Sequence, residues 1–463
     1  MSRLRAAFRS GLGFEWLFVV LIAASVIHAA WYLFTYYHLP PPFFWEPGDV
    51  YADWFNVAYW ARNKGTYDVW TALYPPLTFV LIRIVGIDRC YPRTRAVEPS
   101  PGLVARDCDW VGLASIWVLW IICIVLVYLA FRKNDKRTAI PRTICIGLGW
   151  PLLDGVERGN PILMALPCFL LATMPLVKSA KWRWFFAGMS INLKIYLIAP
   201  FVAQLFKRRW RWVEGVIISV ILIYAVTFGI LQRGSPIEVF HDVTDWANEG
   251  LSNPLDFWPA TTYHALSQLL DSEDGFFPAL LYLGSRNIEL IQAGITIFLR
   301  MTQAALLGAM AAVWLRPEAV SRYRLFALGT LLALVTSESG GYTPVYFTAL
   351  ILLERWKGFG RIFSICGCYL LAISFDIRIT PIGQFQRDTY YHDASILVDF
   401  YLTVWPFLRP AVIQAIAIAL SCTTLREVWQ DVRLQGWAQR WRFRGDAPIL
   451  PGVLRPTPPD FRQ

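Results

Sequence analysis

The chain has 463 residues, of which 56% are hydrophobic and 16% charged, with a mean hydropathy of +0.43. That balance excludes an ordinary soluble domain and reads as a polytopic membrane protein. The net charge of +10 calls for no nucleic acid, because Lys and Arg gather in short loops between apolar runs, as in loops kept on the cytoplasmic side.

The apolar run from Phe14 to Tyr36 follows a basic start and has no small-residue cleavage site, so it reads as a retained first span with the N-terminus inside. The first outer loop, 37–110, then opens at once with three acids, Glu46, Asp49 and Asp53. Helical spacing over Gly48–Arg62 predicts an interfacial helix, with Tyr51, Phe55 and Tyr59 on one stripe and Asp49 and Asp53 at i, i+4 beside it. A second juxtamembrane element is expected over Tyr74–Ile87. Six of the 8 Cys lie in apolar runs; Cys90 and Cys108 share the polar outer loop and are candidates to pair.

Further spans are expected at Val111–Phe131, Thr138–Leu153, Pro161–Val177, Val213–Leu231, Glu289–Leu315, Leu325–Val335, Tyr342–Leu353, Ile362–Phe375 and Ile396–Cys422. Trp184–Leu193 and Tyr196–Phe206 are each too short to cross and carry basic clusters at both ends of the pair. They predict a re-entrant hairpin, whose irregular turn needs protein or a wet cavity around it. With that hairpin, parity brings the clusters Arg132–Arg137, Lys178–Arg183, Lys207–Arg211, Arg316–Arg324, Arg355–Arg361 and the tail 424–463 to the inside. The turn Asp154–Asn160, the long acidic loop 232–288, the turn Ser337–Gly341 and Asp376–Ser395 fall outside. The chain reads as a single integral membrane domain, 1–463, without an internal repeat.

No nucleotide-binding glycine loop, His-Glu-x-x-His or metal-spaced Cys/His cluster is present. Carboxylates on the outer face are therefore the candidate acids and bases, and deprotonation of a hydroxyl is the chemistry that suits them. Asp49 equally suits a helix cap. Lys194 lies inside an apolar segment, where an ammonium serves either a phosphate or a structural ion pair. Arg158 can meet substrate or be neutralised by Glu157 or Asp154. His264 and the stretch Tyr390–Asp393 are weaker candidates for substrate contact.

Gly48-Asp49-Val50-Tyr51, Gly65-Thr66-Tyr67, Tyr74-Pro75-Pro76-Leu77, Arg158-Gly159-Asn160 and Asn192-Leu193-Lys194, in this order after one opening span, resemble the GT-C glycosyltransferases. The pattern is most similar to the polyprenyl-phosphate-mannose-dependent mannosyltransferases, glycosyltransferase family 87. It covers roughly the first half of the chain. The family usually shows Arg-Gly-Gln where this chain has Arg158-Gly159-Asn160. It also carries a C-terminal Ser-Pro-x-Ser-Trp-x-His segment, for which the nearest stretch here, Thr336–Tyr342, has no His. The resemblance implies an all-α, GT-C-like bundle of about ten spans with a re-entrant hairpin and outer juxtamembrane helices. It implies inverting transfer of a mannose-like hexose from a polyprenyl-phosphate donor to a glycan or glycolipid acceptor, on the outer side of the plasma membrane and without a cofactor; no metal-binding residue is assigned, and a metal requirement stays open. Asp49 takes the place of the general base. Asp53, Arg158, Asn160, Lys194, Glu338, Tyr342 and His264 are the candidate substrate contacts. A flippase or polymerase for lipid-linked saccharides is the competing expectation.

Overall fold

The computed structural model describes residues 11–44, 46–92, 100–249, 261–263, 266, 270 and 279–436. Five helices among them are long and apolar enough to cross a membrane: Leu12–Tyr36, Trp110–Asn134, Trp210–Leu231, Ser285–Leu315 and Trp405–Gln435. At 1.5 Å per residue even the shortest rises about 33 Å, against a hydrocarbon core of about 30 Å. Each buries a narrow stripe, such as Ile22, Cys123, Val216, Leu306 and Ile416, and leaves Ile27, Ile121, Ile221 and Met301 uncovered. An apolar face that the protein does not cover is at home in lipid rather than water.

The other expected spans are shorter. Thr138–Leu153 is two helices, Ala139–Gly147 and Trp150–Glu157, because Pro151 starts a new helix and a Cβ at Gly149 would lie 2.1 Å from the Cys145 carbonyl oxygen. Pro161–Val177, Leu325–Val335, Tyr342–Leu353 and Ile362–Phe375 become Ile162–Thr173, Arg322–Leu334, Val345–Ile351 and Phe359–Leu371. None of these rises more than about 20 Å. They fill the interior: Phe169, Leu328, Phe347 and Cys368 are fully buried. Among the described residues five helices are thus long enough to cross, and the short ones pack between them.

The chain is mostly helical, as expected, with one strand pair that the sequence reading did not contain. Arg378–Thr389 and His392–Thr403 pair as an antiparallel hairpin, with Phe385 opposite Val398 and Thr389 opposite His392. Ile396, expected to begin a span, lies in the second strand, and the final helix begins at Trp405. Ser-Ile-Leu-Val-Asp-Phe-Tyr-Leu-Thr is rich in β-branched and aromatic residues and buries Val398, Phe400 and Thr403. Its apolar side chains merge with the helix that follows, which is why the two read as one run. That helix continues through the first part of the expected tail, as far as Gln435.

The break expected between Trp184–Leu193 and Tyr196–Phe206 is present. Helix Ala180–Leu193 stops at Lys194, which is extended (φ −142°, ψ 103°), and the chain resumes as short turns over Ile195–Leu197, Ile198–Val202 and Ala203–Lys207.

Ion pairs and side-chain caps gather most of the basic loops at one end of the bundle. Arg142 meets Glu15 at 2.7 Å, and Arg324 meets Glu354 at 2.6 Å and Glu427 at 3.0 Å. Arg361 lies 3.2 Å from Glu354, Arg316 lies 3.5 Å from Asp431, and Asn134 donates to the Leu353 carbonyl at 3.1 Å. The segment that follows helix Leu12–Tyr36, the Arg158 turn and the β-hairpin meet at the opposite end. There Tyr390 N–H donates to the Pro47 carbonyl at 3.2 Å and Arg387 pairs with Glu46 at 2.8 Å.

Candidate active site

Pro47–Asp49 is a single tight turn, and helix Ala52–Arg62 begins only after Tyr51, whose φ of 63° lies in the left-handed region. The continuous helix expected over Gly48–Arg62 is therefore broken between Asp49 and Asp53. The left-handed region costs a bulky residue roughly 1–2 kcal/mol, and the surroundings hold Tyr51 there. Its N–H donates to the Glu157 carbonyl at 2.7 Å and its ring packs edge-on against Tyr390 at 5.8 Å. Asp49 and Asp53 converge because both face one guanidinium, not because they share a helix face.

That guanidinium is Arg158. One terminal nitrogen donates to Asp53 Oδ1 at 3.0 Å; the other lies 3.7 Å from Asp49 Oδ2 and 3.4 Å from the Asp49 carbonyl. The Phe44 ring lies beneath it, with the centroid 4.1 Å away. Burial opposes the Arg158 charge, but Asp53, Glu157 and Asp49 outweigh it and hold the pKa above the ordinary arginine value. Next to it Gly159 takes φ 61°, and a Cβ there would sit 2.9 Å from Trp54 Cβ and 3.2 Å from Tyr51 Cα. Glycine lets the turn press against helix Ala52–Arg62.

Asn160 completes the clamp on Asp53. Its amide nitrogen donates to Asp53 Oδ2 at 2.5 Å and lies 3.4 Å from the Tyr74 hydroxyl, while its oxygen accepts from Ile162 N–H at 3.0 Å. Both Asp53 oxygens are thus engaged. Asp49, with a side chain 29% exposed, receives among the described residues only the long contact from Arg158. It is the carboxylate with lone pairs to offer.

Lys194 stands behind this pair at the break in the hairpin and is 7% exposed. Its ammonium lies over the rings of Tyr74, 4.5 Å from the centroid, and Tyr342, 5.1 Å away. It makes no ion pair among the described residues; burial pulls its pKa down to about 7, against the opposing pull of Asp53. The aromatic faces favour the charged form, and an anion brought beside it would favour that form further.

Five of the sequence-predicted residues therefore surround one spot with Asp49: Asp53, Arg158, Asn160, Lys194 and Tyr342. Glu338 is committed elsewhere. It accepts from Thr261 Oγ1 at 2.9 Å and from Thr262 N–H at 3.1 Å, and so holds those two threonines. His264 lies outside the described residues.

Sequence reasoning missed Arg106. One of its nitrogens donates to the carbonyls of Gly48 at 2.8 Å and Val50 at 2.7 Å, on either side of Asp49, and its guanidinium stacks over Tyr390 at 4.1 Å. Two residues on, Cys108 is disulfide-bonded to Cys90, with Cα atoms 5.5 Å apart. The shared loop of those cysteines was the available signal; nothing in it pointed at an arginine. Burial lifts the Glu46 pKa against the pull of Arg387, and pushes the Tyr51 phenol up to about 12. Set against protein-family models, curated proteins and solved structures, the chain matches none of them.

Proposed function

We propose that this protein is a membrane glycosyltransferase that moves a hexose from a polyprenyl-phosphate carrier to an acceptor hydroxyl, with inversion at the sugar carbon. The observation that carries this reading is the pairing of an available carboxylate, Asp49, with a buried ammonium, Lys194, around a fixed Asp53–Arg158–Asn160 cluster. Asp49 takes the proton from the acceptor hydroxyl as its oxygen attacks the anomeric carbon. The bond from that carbon to the phosphate oxygen breaks, and polyprenyl phosphate leaves with the electron pair. Lys194 stabilises the charge that grows on the phosphate.

Arg158, expected from the sequence to share that task, is engaged by two carboxylates and serves to position them instead. The uncovered apolar faces of the long helices suit a lipid-borne donor. The Cys90–Cys108 bridge suits an oxidising compartment and supports an outward-facing site on the plasma membrane, with the basic loops inside.

Purified protein incubated with a polyprenyl-phosphate-hexose and glycan acceptors tests the reading through release of polyprenyl phosphate. A flippase moves the lipid and releases none. Asp49→Asn is expected to lower release at least about a hundredfold with an unchanged unfolding temperature. A variant with normal turnover ends the assignment of Asp49.

A further inference from the structure

A second cationic cluster lies at the other end of the bundle. Arg183 is in the first turn of helix Ala180–Leu193, Arg209 precedes helix Trp210–Leu231, and Arg322 opens helix Arg322–Leu334. Gln204, fully buried in the last turn of the re-entrant hairpin, ties two of them together: its side chain donates to the Arg322 carbonyl at 3.5 Å, and its own carbonyl accepts from Arg209 N–H at 3.3 Å. Arg183 is fixed by the carbonyls of Val177 at 2.6 Å and Met174 at 3.0 Å. The three charges are close enough to repel: Arg322 and Arg209 both act on Arg183, and Arg322 acts on Arg209.

No carboxylate is among the charges acting on Arg183 or Arg209, and none of the three arginines forms an ion pair among the described residues. Arg322 itself donates to the Tyr323 hydroxyl at 2.8 Å. Two residues beyond Arg322, Arg324 has two carboxylates of its own. The chain thus neutralises a buried arginine where it needs to and leaves these three half-buried ones without a carboxylate partner among the described residues. Like charges held together without a counter-ion are unfavourable unless an anion joins them. Guanidinium forks match phosphate oxygens. Trp182 and Trp210, adjacent in sequence to Arg183 and Arg209, are 59% and 55% exposed, as suits rings at the level of lipid headgroups.

We propose that Arg183, Arg209 and Arg322 bind the phosphate of an anionic phospholipid headgroup at the end of the molecule opposite the Asp49 turn. The site is independent of the glycosyltransferase reading and survives its failure. It anchors the base of the re-entrant hairpin, whose broken end carries Lys194.

The full-length protein, purified in a neutral detergent, is titrated with phosphatidylglycerol, phosphatidylcholine or inorganic phosphate, and bound molecules are counted by native mass spectrometry. One phosphatidylglycerol should be retained in preference to phosphatidylcholine. Arg209→Gln should weaken it about fivefold or more, and that variant breaks no side-chain hydrogen bond among the described residues. Lys181→Gln, an exposed neighbour, should leave it unchanged. Equal retention by Arg183→Gln, Arg209→Gln and Arg322→Gln overturns the site, as does equal binding of phosphatidylcholine. Inorganic phosphate that binds as tightly as the lipid overturns the lipid as its occupant.

Discussion

Asp53 and Arg158 are bonded twice, side chain to side chain at 3.0 Å and from the Asp53 N–H to the Arg158 carbonyl at 3.0 Å. The backbone link sets the helix against the turn and the side-chain link neutralises two acids there. Arg158→Leu leaves Asp49 and Asp53 facing each other without a cation, and removing one partner of such a sheltered pair costs about 3 kcal/mol. Asp53→Asn is milder, because the amide oxygen still accepts from Arg158. Thermal unfolding in detergent should rank Arg158→Leu below Asp53→Asn and both below wild type; the reverse order would show that Arg158 does not hold the cluster.

Arg106 touches neither reacting group, yet it spans the two peptide carbonyls beside Asp49. Arg106→Gln removes charge-assisted bonds worth about 2 kcal/mol together, and the Asp49 turn loosens. Turnover should fall about tenfold or more while KM for the donor stays put, and Arg106→Lys should recover part of the loss. Cleavage of the Cys90–Cys108 bridge frees the segment that delivers Arg106 and should move turnover the same way. Equal turnover before and after reduction would separate the bridge from the site.

Lys194→Met separates stability from binding by sign. The ammonium is buried against two rings with no ion pair among the described residues, so an apolar chain of similar length packs there at no loss. The unfolding temperature should hold or rise, while KM for the donor rises at least about tenfold, the scale of one desolvated charge contact. A fall in stability with unchanged KM would make Lys194 a structural residue.

Asp242, in helix Pro236–Glu249, gives a dependence on pH. Burial, then Asp245 and Glu238 on neighbouring turns, raise its carboxyl pKa to about 6, above the ordinary value of 3.8. The folded state therefore holds this proton more tightly than the unfolded chain. Its contribution is most favourable below the unfolded value and is lost as pH rises through about 6. Asp242→Asn should flatten the stability profile between those limits and raise stability at neutral pH. An unchanged slope would count against Asp242 as its source.

Long-range order was readable where composition is one-sided. Leu12–Tyr36, Trp110–Asn134, Trp210–Leu231 and Ser285–Leu315 announce themselves by uninterrupted apolar length. The break at Lys194 was readable because an ammonium and two short runs fit no straight crossing. Interior helices such as Val345–Ile351 were overextended, since their neighbours are also apolar and nothing in hydropathy marks an end. The β-hairpin was hidden for the same reason at Ile396. Asp49 and Asp53 were found through their type and position, but the left-handed Tyr51 between them depends on a carbonyl from Glu157, about a hundred residues away in sequence. Contacts of that range, like the threonine bonds that occupy Glu338, leave no local trace.

The interruption at Lys194 also sets the register of the molecule. A helix turns about 100° per residue, and a long span that ends in solvent can absorb an added residue at its free end. Helix Ala180–Leu193 has no such freedom, because its last residue hands directly to an ammonium fixed beneath Tyr74 and Tyr342. One residue inserted between Gly188 and Leu193 would swing that charge out from under the rings while leaving apolar content and helix length almost unchanged. The protein is thus tolerant of composition along its lipid-facing helices and intolerant of phase in this one short segment.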